Sequence, residues 1–316
     1  MKRLLRDLGI MLAALLLALA LDRLGTFTAL AAALEERAAS SPPPGSAYAD
    51  ESAPWREPAA LSAPSPAEAP EREAAAMTRE DLRSGGKQEV DVASLLREGW
   101  SYTLPAEGPQ ILIFHTHSCE AYTPEGEDSY LPSGDYRTLD AGQSVIAVGD
   151  VLAKTLEDAG FTVLHDRSLY DYPEYNGAYD RSGEAVRALL EENPTVRVVI
   201  DLHRDALGGR RTEYVSPDGE DSAQVMLLLT TGENGLYHPA WRENLKLGLE
   251  LQERMERDYR GLARPLYLSP ARYNQHLSPG SLLVEVGTEA NTLAEAKRAA
   301  ALFGDCLAAV LGEHRS

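Results

Sequence analysis

The 316-residue chain predicts an α/β fold, a mostly parallel twisted sheet flanked by helices. Three observations lead there. Short continuous apolar runs at 110–114, 196–202 and 281–286 have the form of strands buried on both faces. Amphipathic segments separate the runs, and Gly or Pro punctuates them. Strands that alternate with helices imply parallel pairing and right-handed crossovers.

Each element follows in order. Gln110 to Phe114 is an apolar strand. Residues 142–160 carry Val145, Val148, Leu152 and Leu156 on one stripe, a helix ended by Gly160. Residues 161–164 read as a strand, and 180–193 as a helix stopped before Pro194. Strands follow at 196–202 and 225–230, then a long helix at 239–259. A late strand at 281–286 precedes a helix from Thr292 to about Leu311. Sites in such sheets lie beyond the carboxyl ends of the strands.

The N-terminal residues predict export. Lys2, Arg3 and Arg6 precede an apolar run from Leu8 to Leu21. At about 1.5 Å per residue the run falls short of a ~30 Å hydrocarbon core. It reads either as a cleavable signal peptide with Ala18-Leu19-Ala20 as its cleavage site, or as an anchor extended by residues 24–34. Residues 1–35 are thus expected to be a membrane anchor or signal segment, with the rest of the chain outside. Residues 36–88, rich in Pro, Ala, Ser and Glu, are expected to be a disordered spacer, because they cannot bury enough apolar surface to offset ordering. Residues 89–316 form the expected catalytic domain. The balance of 30 basic against 49 acidic residues argues against nucleic acid as a partner. Cys119 and Cys306 lie far apart, which excludes a disulfide scaffold and a Cys-rich zinc site.

Three strand ends carry the chemistry-bearing residues. They are His115-Thr-His117-Ser-Cys-Glu120, Asp201-Leu-His203-Arg-Asp205, and Glu285. Zinc takes two neutral imidazoles and a carboxylate and leaves one position for water. A further carboxylate can take the proton of that water. His117 and Glu120 form an HxxE just past one strand, and His203 at a neighbouring strand end completes such a set. The plainer alternative is that His115 or His117 is a hydrogen-bonded strand-end residue, with Asp201 and Asp205 capping the next turn. His165, His238, His276 and His314 lie in polar or loop sequence and are expected at the surface.

These residues carry a resemblance. Ile111 to Tyr122 resembles the HTH-x-x-E-x-[YF] motif of the stage II sporulation protein P family. Asp201 to Asp205 is similar to its D-[IL]-H-R-D strand end, and Leu282 to Thr292 to its E-[VIL]-G-x-x-x-N-T motif. The resemblance covers roughly residues 90 to 312 and keeps the motif order. It implies an amidase-like α/β fold, zinc as cofactor, and N-acetylmuramoyl-L-alanine amidase activity on peptidoglycan, with endopeptidase activity on cross-links also attributed to the family. It further implies a role in engulfment during endospore formation, between the mother-cell and forespore membranes, beside stage II sporulation proteins D and M. By resemblance the zinc ligands are His117, Glu120 and His203, and the catalytic proton carrier is Glu285. His115 stands where the related amidases have proline and is the second choice of ligand. Arg204 is a fork donor for a stem-peptide carboxylate, or a partner of Asp205. Two other readings stay open. One is a zinc carboxypeptidase, with Arg204, Arg210 and Arg211 as carboxylate captors. The other is a non-catalytic, membrane-anchored wall scaffold.

Overall fold

The computed structural model describes residues 82–123, 136–233 and 235–315. The expected N-terminal anchor, and the spacer up to residue 81, lie outside the described residues. Among the described residues no helix is long and apolar enough to cross a membrane.

The strands are β1 (Leu82–Ser84), β2 (Ile111–Phe114), β3 (Val163–His165), β4 (Val198–Asp205), β5 (Tyr214–Val215), β6 (Asp221–Ser222), β7 (Val225–Thr230), β8 (Leu266–Ser269) and β9 (Ser281–Thr288). The helices are α1 (Val92–Glu98), α2 (Val145–Asp158), α3 (Ala178–Glu192), α4 (Trp241–Asp258) and α5 (Leu293–Glu313). A 7-stranded sheet has the order β1-β8-β7-β9-β4-β2-β3, and β5 and β6 form a small ribbon. β9, β4, β2 and β3 are mutually parallel, which sets their carboxyl ends at one edge.

The sheet is mixed rather than all parallel, because β7 runs antiparallel to β9. The reason lies in the connection. Between β4 and β7 the chain makes only the β5–β6 ribbon and no helix, so it is not carried back across the sheet. It re-enters from the edge where β4 left, which is antiparallel geometry. β8 and β1 then pair parallel to β7.

Both faces are covered. Ile111 and Ile113 of β2 point into a large core with Ile200, Leu202, Val284 and the apolar stripes of α2, α4 and α5. Leu112 and Phe114 point the other way, to a smaller cluster with Val199, Val186 of α3 and Leu277. That alternation on a fully buried strand explains its unbroken apolar sequence. Ser144 caps α2 by accepting from the Ile146 N–H. Thr292 and Glu295 form a capping box that starts α5.

The domain begins earlier than composition indicates. Leu82 to Ser84, assigned by composition to the spacer, pairs with β8, and the Lys87 and Gln88 N–H groups donate to the Glu233 carboxylate. A three-residue edge strand reading Leu-Arg-Ser carries no alternation long enough to announce itself. β8, α1 and the β5–β6 ribbon escape the sequence pattern for the same reason of length.

Candidate active site at the carboxyl edge of the sheet

Register brings the motif residues together. Phe114 lies opposite Asp201 across β2 and β4, and His203 lies opposite Glu285 across β4 and β9. The β4–β9 ladder slips between His203 and Asp205, a bulge at the site itself. Past β2 the chain turns through His117, where the Glu120 N–H donates to the His117 carbonyl at 3.1 Å.

Asp201 ties the two strand ends. It accepts from the Thr116 N–H at 2.8 Å and the Thr116 hydroxyl at 2.7 Å. Its Oδ1 also lies 2.8 Å from His203 Nε2, an ion-pair contact outside hydrogen-bond alignment. Glu120 Oε2 accepts from the Arg204 N–H at 3.1 Å and lies 3.4 Å from His203 Nδ1. The His117 and His203 rings meet edge to face, with centroids 5.4 Å apart. Burial alone would lower the His203 pKa, but Asp201 and Glu120 together raise it well above its ordinary value. Burial opposes ionisation of Glu120 and Asp201, yet His203 holds both carboxyls below their ordinary range.

Glu285 is different in kind. Its Oε2 is buried with no hydrogen-bond partner. Burial pushes its carboxyl up to about 8, against the attraction of His203 and Arg204 and with repulsion from Glu120 and Asp205. The rest of its motif is scaffold. Gly287 adopts φ 67°, and a Cβ there would meet Ala223 Cβ at 2.9 Å. Asn291 Oδ1 accepts from the N–H groups of Thr212 and Thr288. The Tyr122 hydroxyl donates to the Val286 carbonyl at 2.9 Å, which joins the first motif to the third.

Three other candidates are engaged in other contacts. His115 points to the opposite side of the sheet. Its Nδ1 donates to the Leu202 carbonyl at 2.9 Å, which leaves Nε2 to accept from His165 Nε2 at 2.8 Å. Both ring nitrogens are thus engaged, and burial, then His165, lowers its pKa to about 3. The pair fits under α2 because residue 149 is glycine; a Cβ there would lie 2.7 Å from His115 Cε1 and from His165 Nε2. The Arg204 guanidinium is committed to the carbonyls of Ala121, Tyr136 and Asp205, so it staples loops and offers no free fork to a carboxylate. Asp205 pairs with Arg264 at 2.7 Å and caps the Ala206 N–H.

The remaining histidines depart from expectation. His238 and His276 are buried, at 5 % and 9 % exposure. His314 bonds Glu250, and His165 bonds His115 and approaches Asp150. Polar flanking sequence does not report what a loop packs against. The sequence reading also missed Arg137, Asp171, Tyr175 and Tyr179, which surround His117 from segments outside every motif.

The donor set suits zinc in kind. Two imidazoles and a carboxylate converge: His117 Nδ1 is buried without a hydrogen-bond partner, and His203 turns Nδ1 toward Glu120 Oε2 at 3.4 Å. Among the described residues, however, no three such side chains stand in a ready-made ligating arrangement.

Comparison with known proteins places the chain. The sequence model of stage II sporulation protein P matches residues 38–308. Stage II sporulation protein P of Bacillus subtilis (strain 168) is 29% identical over 206 residues, 62% of this chain and 49% of the relative. The match thus spans about half the length of that relative. Among solved structures, the N-acetylmuramoyl-L-alanine amidase AmiC2 of Nostoc punctiforme is 13% identical with TM-score 0.38, over 66% of this chain and 98% of that one. The CwlD amidase from Clostridioides difficile, solved in complex with the GerS lipoprotein, is 11% identical with TM-score 0.38, over 65% and 97%. Both scores are too low to transfer a site. The match to the sequence model runs through all three strand-end motifs, and the chain belongs to the stage II sporulation protein P family.

Proposed function

We propose that the chain is a peptidoglycan hydrolase of endospore formation, a zinc-dependent N-acetylmuramoyl-L-alanine amidase. The observation that carries the reading is the convergence of His117, Glu120, His203 and Glu285 at one corner of the sheet, in a chain of this family. His117, Glu120 and His203 would hold the metal. A zinc ion there supplies Lewis acidity, which lowers the pKa of water and polarises an amide carbonyl. Glu285 takes the proton of the attacking water and returns it to the leaving amine. Its raised pKa suits that return, and a cation nearby would draw the value down toward neutrality. Asp201 holds His203 from behind, as carboxylates do for ligating histidines. Engulfment, action beside stage II sporulation proteins D and M, and a membrane tether through residues 1–35 belong to the same proposal.

The carboxypeptidase reading needs a free captor for a terminal carboxylate, and its three candidates are engaged: Arg204 with backbone carbonyls, Arg210 with the Leu207 carbonyl and Arg211 with Glu213 and Glu295. The test is digestion of purified sacculi with zinc analysis of the same protein. Free stem peptides beginning with L-alanine, and glycan retaining the lactyl carboxylate, are expected from wild type but not from His203→Ala, which should also lose zinc. A wild-type chain that carries no zinc and releases no product would return the scaffold reading.

A further inference from the structure

His203 and Glu285 are held by a strand ladder, but His117 sits on a turn and needs another restraint. A site of this kind works only if its groups stay within about 0.5 Å and 10–20° of the productive geometry. The restraint comes from residues outside every motif. The Tyr175 ring lies flat on the His117 ring, with centroids 4.5 Å apart and planes within 4°. Tyr179 meets the same imidazole edge-on at 5.5 Å. The Arg137 guanidinium lies over the Tyr175 ring, 5.0 Å from its centroid. Arg137 also donates to Asp171 Oδ2 at 2.7 Å and to the Asp171 carbonyl at 3.1 Å. Asp171 in turn accepts from the Ser118 hydroxyl and the Cys119 N–H, the two residues after His117, and lies 3.8 Å from His117 Nδ1. The contacts close a circuit from His117 through Tyr175, Arg137 and Asp171 back to His117.

Two features separate this circuit from ordinary packing. Tyr175 is 55 % exposed, so burial does little to place its ring, yet the ring is parallel to the imidazole. Asp171 is 2 % exposed, and a buried carboxylate is costly unless its donors are supplied. Here its donors are Arg137 and the histidine's own turn. A stacked ring restrains the imidazole plane and leaves both nitrogens free along the edge.

We propose that Tyr175, backed by Arg137 and Asp171, is a positioning residue that fixes the plane of the His117 imidazole. This rests on the reading of His117 as a metal ligand. The test uses the full chain and metal alone. Zinc affinity is measured by competition with a chromophoric chelator, and the visible spectrum of the cobalt(II)-substituted protein reports ligand geometry. Tyr175→Ala should weaken zinc binding about 10–100-fold, the range for residues that orient a ligand, and change the cobalt spectrum without moving the thermal midpoint. Tyr175→Phe should restore both, because the ring and not the hydroxyl makes the stack. Tyr172→Ala, at an exposed position of the same loop, should alter neither. Wild-type zinc affinity and spectrum in Tyr175→Ala would overturn the clamp and leave the metal site standing. A wild-type chain that takes up no zinc would overturn the site itself, and the clamp with it.

Discussion

Glu285→Gln separates proton transfer from metal binding and from folding. Glutamine keeps the volume of the side chain but accepts no proton. General acid–base catalysis contributes ~10²–10⁴ in rate, or ~3–5 kcal/mol of barrier, so kcat on sacculi should fall by at least a hundredfold. Zinc should stay near one per chain, because Glu285 reaches the site from β9 and is not one of the proposed ligands. The structure adds a second readout in the metal-free protein. The Glu285 carboxyl is raised by burial from its ordinary 4.5 to about 8. Below 4.5 the folded and unfolded chains both hold the proton. Between 4.5 and about 8 the unfolded chain releases a proton that the folded chain keeps, so stability falls as pH rises, by up to ~1.4 kcal/mol per pH unit. Glutamine carries no such penalty. Metal-free Glu285→Gln should therefore melt above wild type at pH 8, and the gap should close below pH 4.5. Calorimetry at the two pH values, with element analysis and single-turnover assays, checks all three effects. Retained zinc with unchanged kcat would remove Glu285 from the mechanism. Loss of zinc would make it a ligand and pass the proton-carrier role to Asp205.

Other outcomes follow from the same geometry. Gly149→Ala drives a methyl to within 2.7 Å of His115 and His165, and overpacking of this kind should lower stability by ~1–3 kcal/mol in denaturant titration; an unchanged midpoint would mean the pair is not packed there. A chain starting at Asp81 should match one starting at Glu35 in turnover on soluble wall fragments, whereas one starting at Glu89 loses β1 and should melt earlier. Equal melting of the two shorter chains would show that the edge strand contributes nothing. Burial, with Arg272 nearby, lowers both His238 and His276 to about 3. Below pH 6.5 the unfolded chain binds protons there that the folded chain refuses, so stability should decline as pH falls from 6.5 toward 3, by up to ~1.4 kcal/mol per unit for each group. The double variant His238→Gln/His276→Gln should flatten that acid limb, and an equally steep limb would count against the assignment.

The gathering of the motif residues at one sheet edge was legible in the sequence because its determinants are local. The apolar period of β2, β4 and β9 marks strands buried on both faces, and parallel strands deliver their carboxyl ends to one edge. His117, Glu120, His203 and Glu285 stand at those ends in the sequence itself. Other features depended on contacts between segments far apart in the chain. The direction of β7 followed from where the chain re-enters the sheet, which apolar periodicity does not encode. His115 and His117 are two residues apart, ranked second and first as ligand candidates in sequence; only packing turned His115 toward His165 under Gly149 and His117 toward His203. Arg204 looked available until three backbone carbonyls closed on it. Arg137, Asp171 and Tyr175 carry no pattern, because each gains its role from a neighbour that folding alone brings near. Periodicity reports which face of a segment is buried. It is silent on what lies across from that face, and that is where the tertiary structure decided which side chains meet.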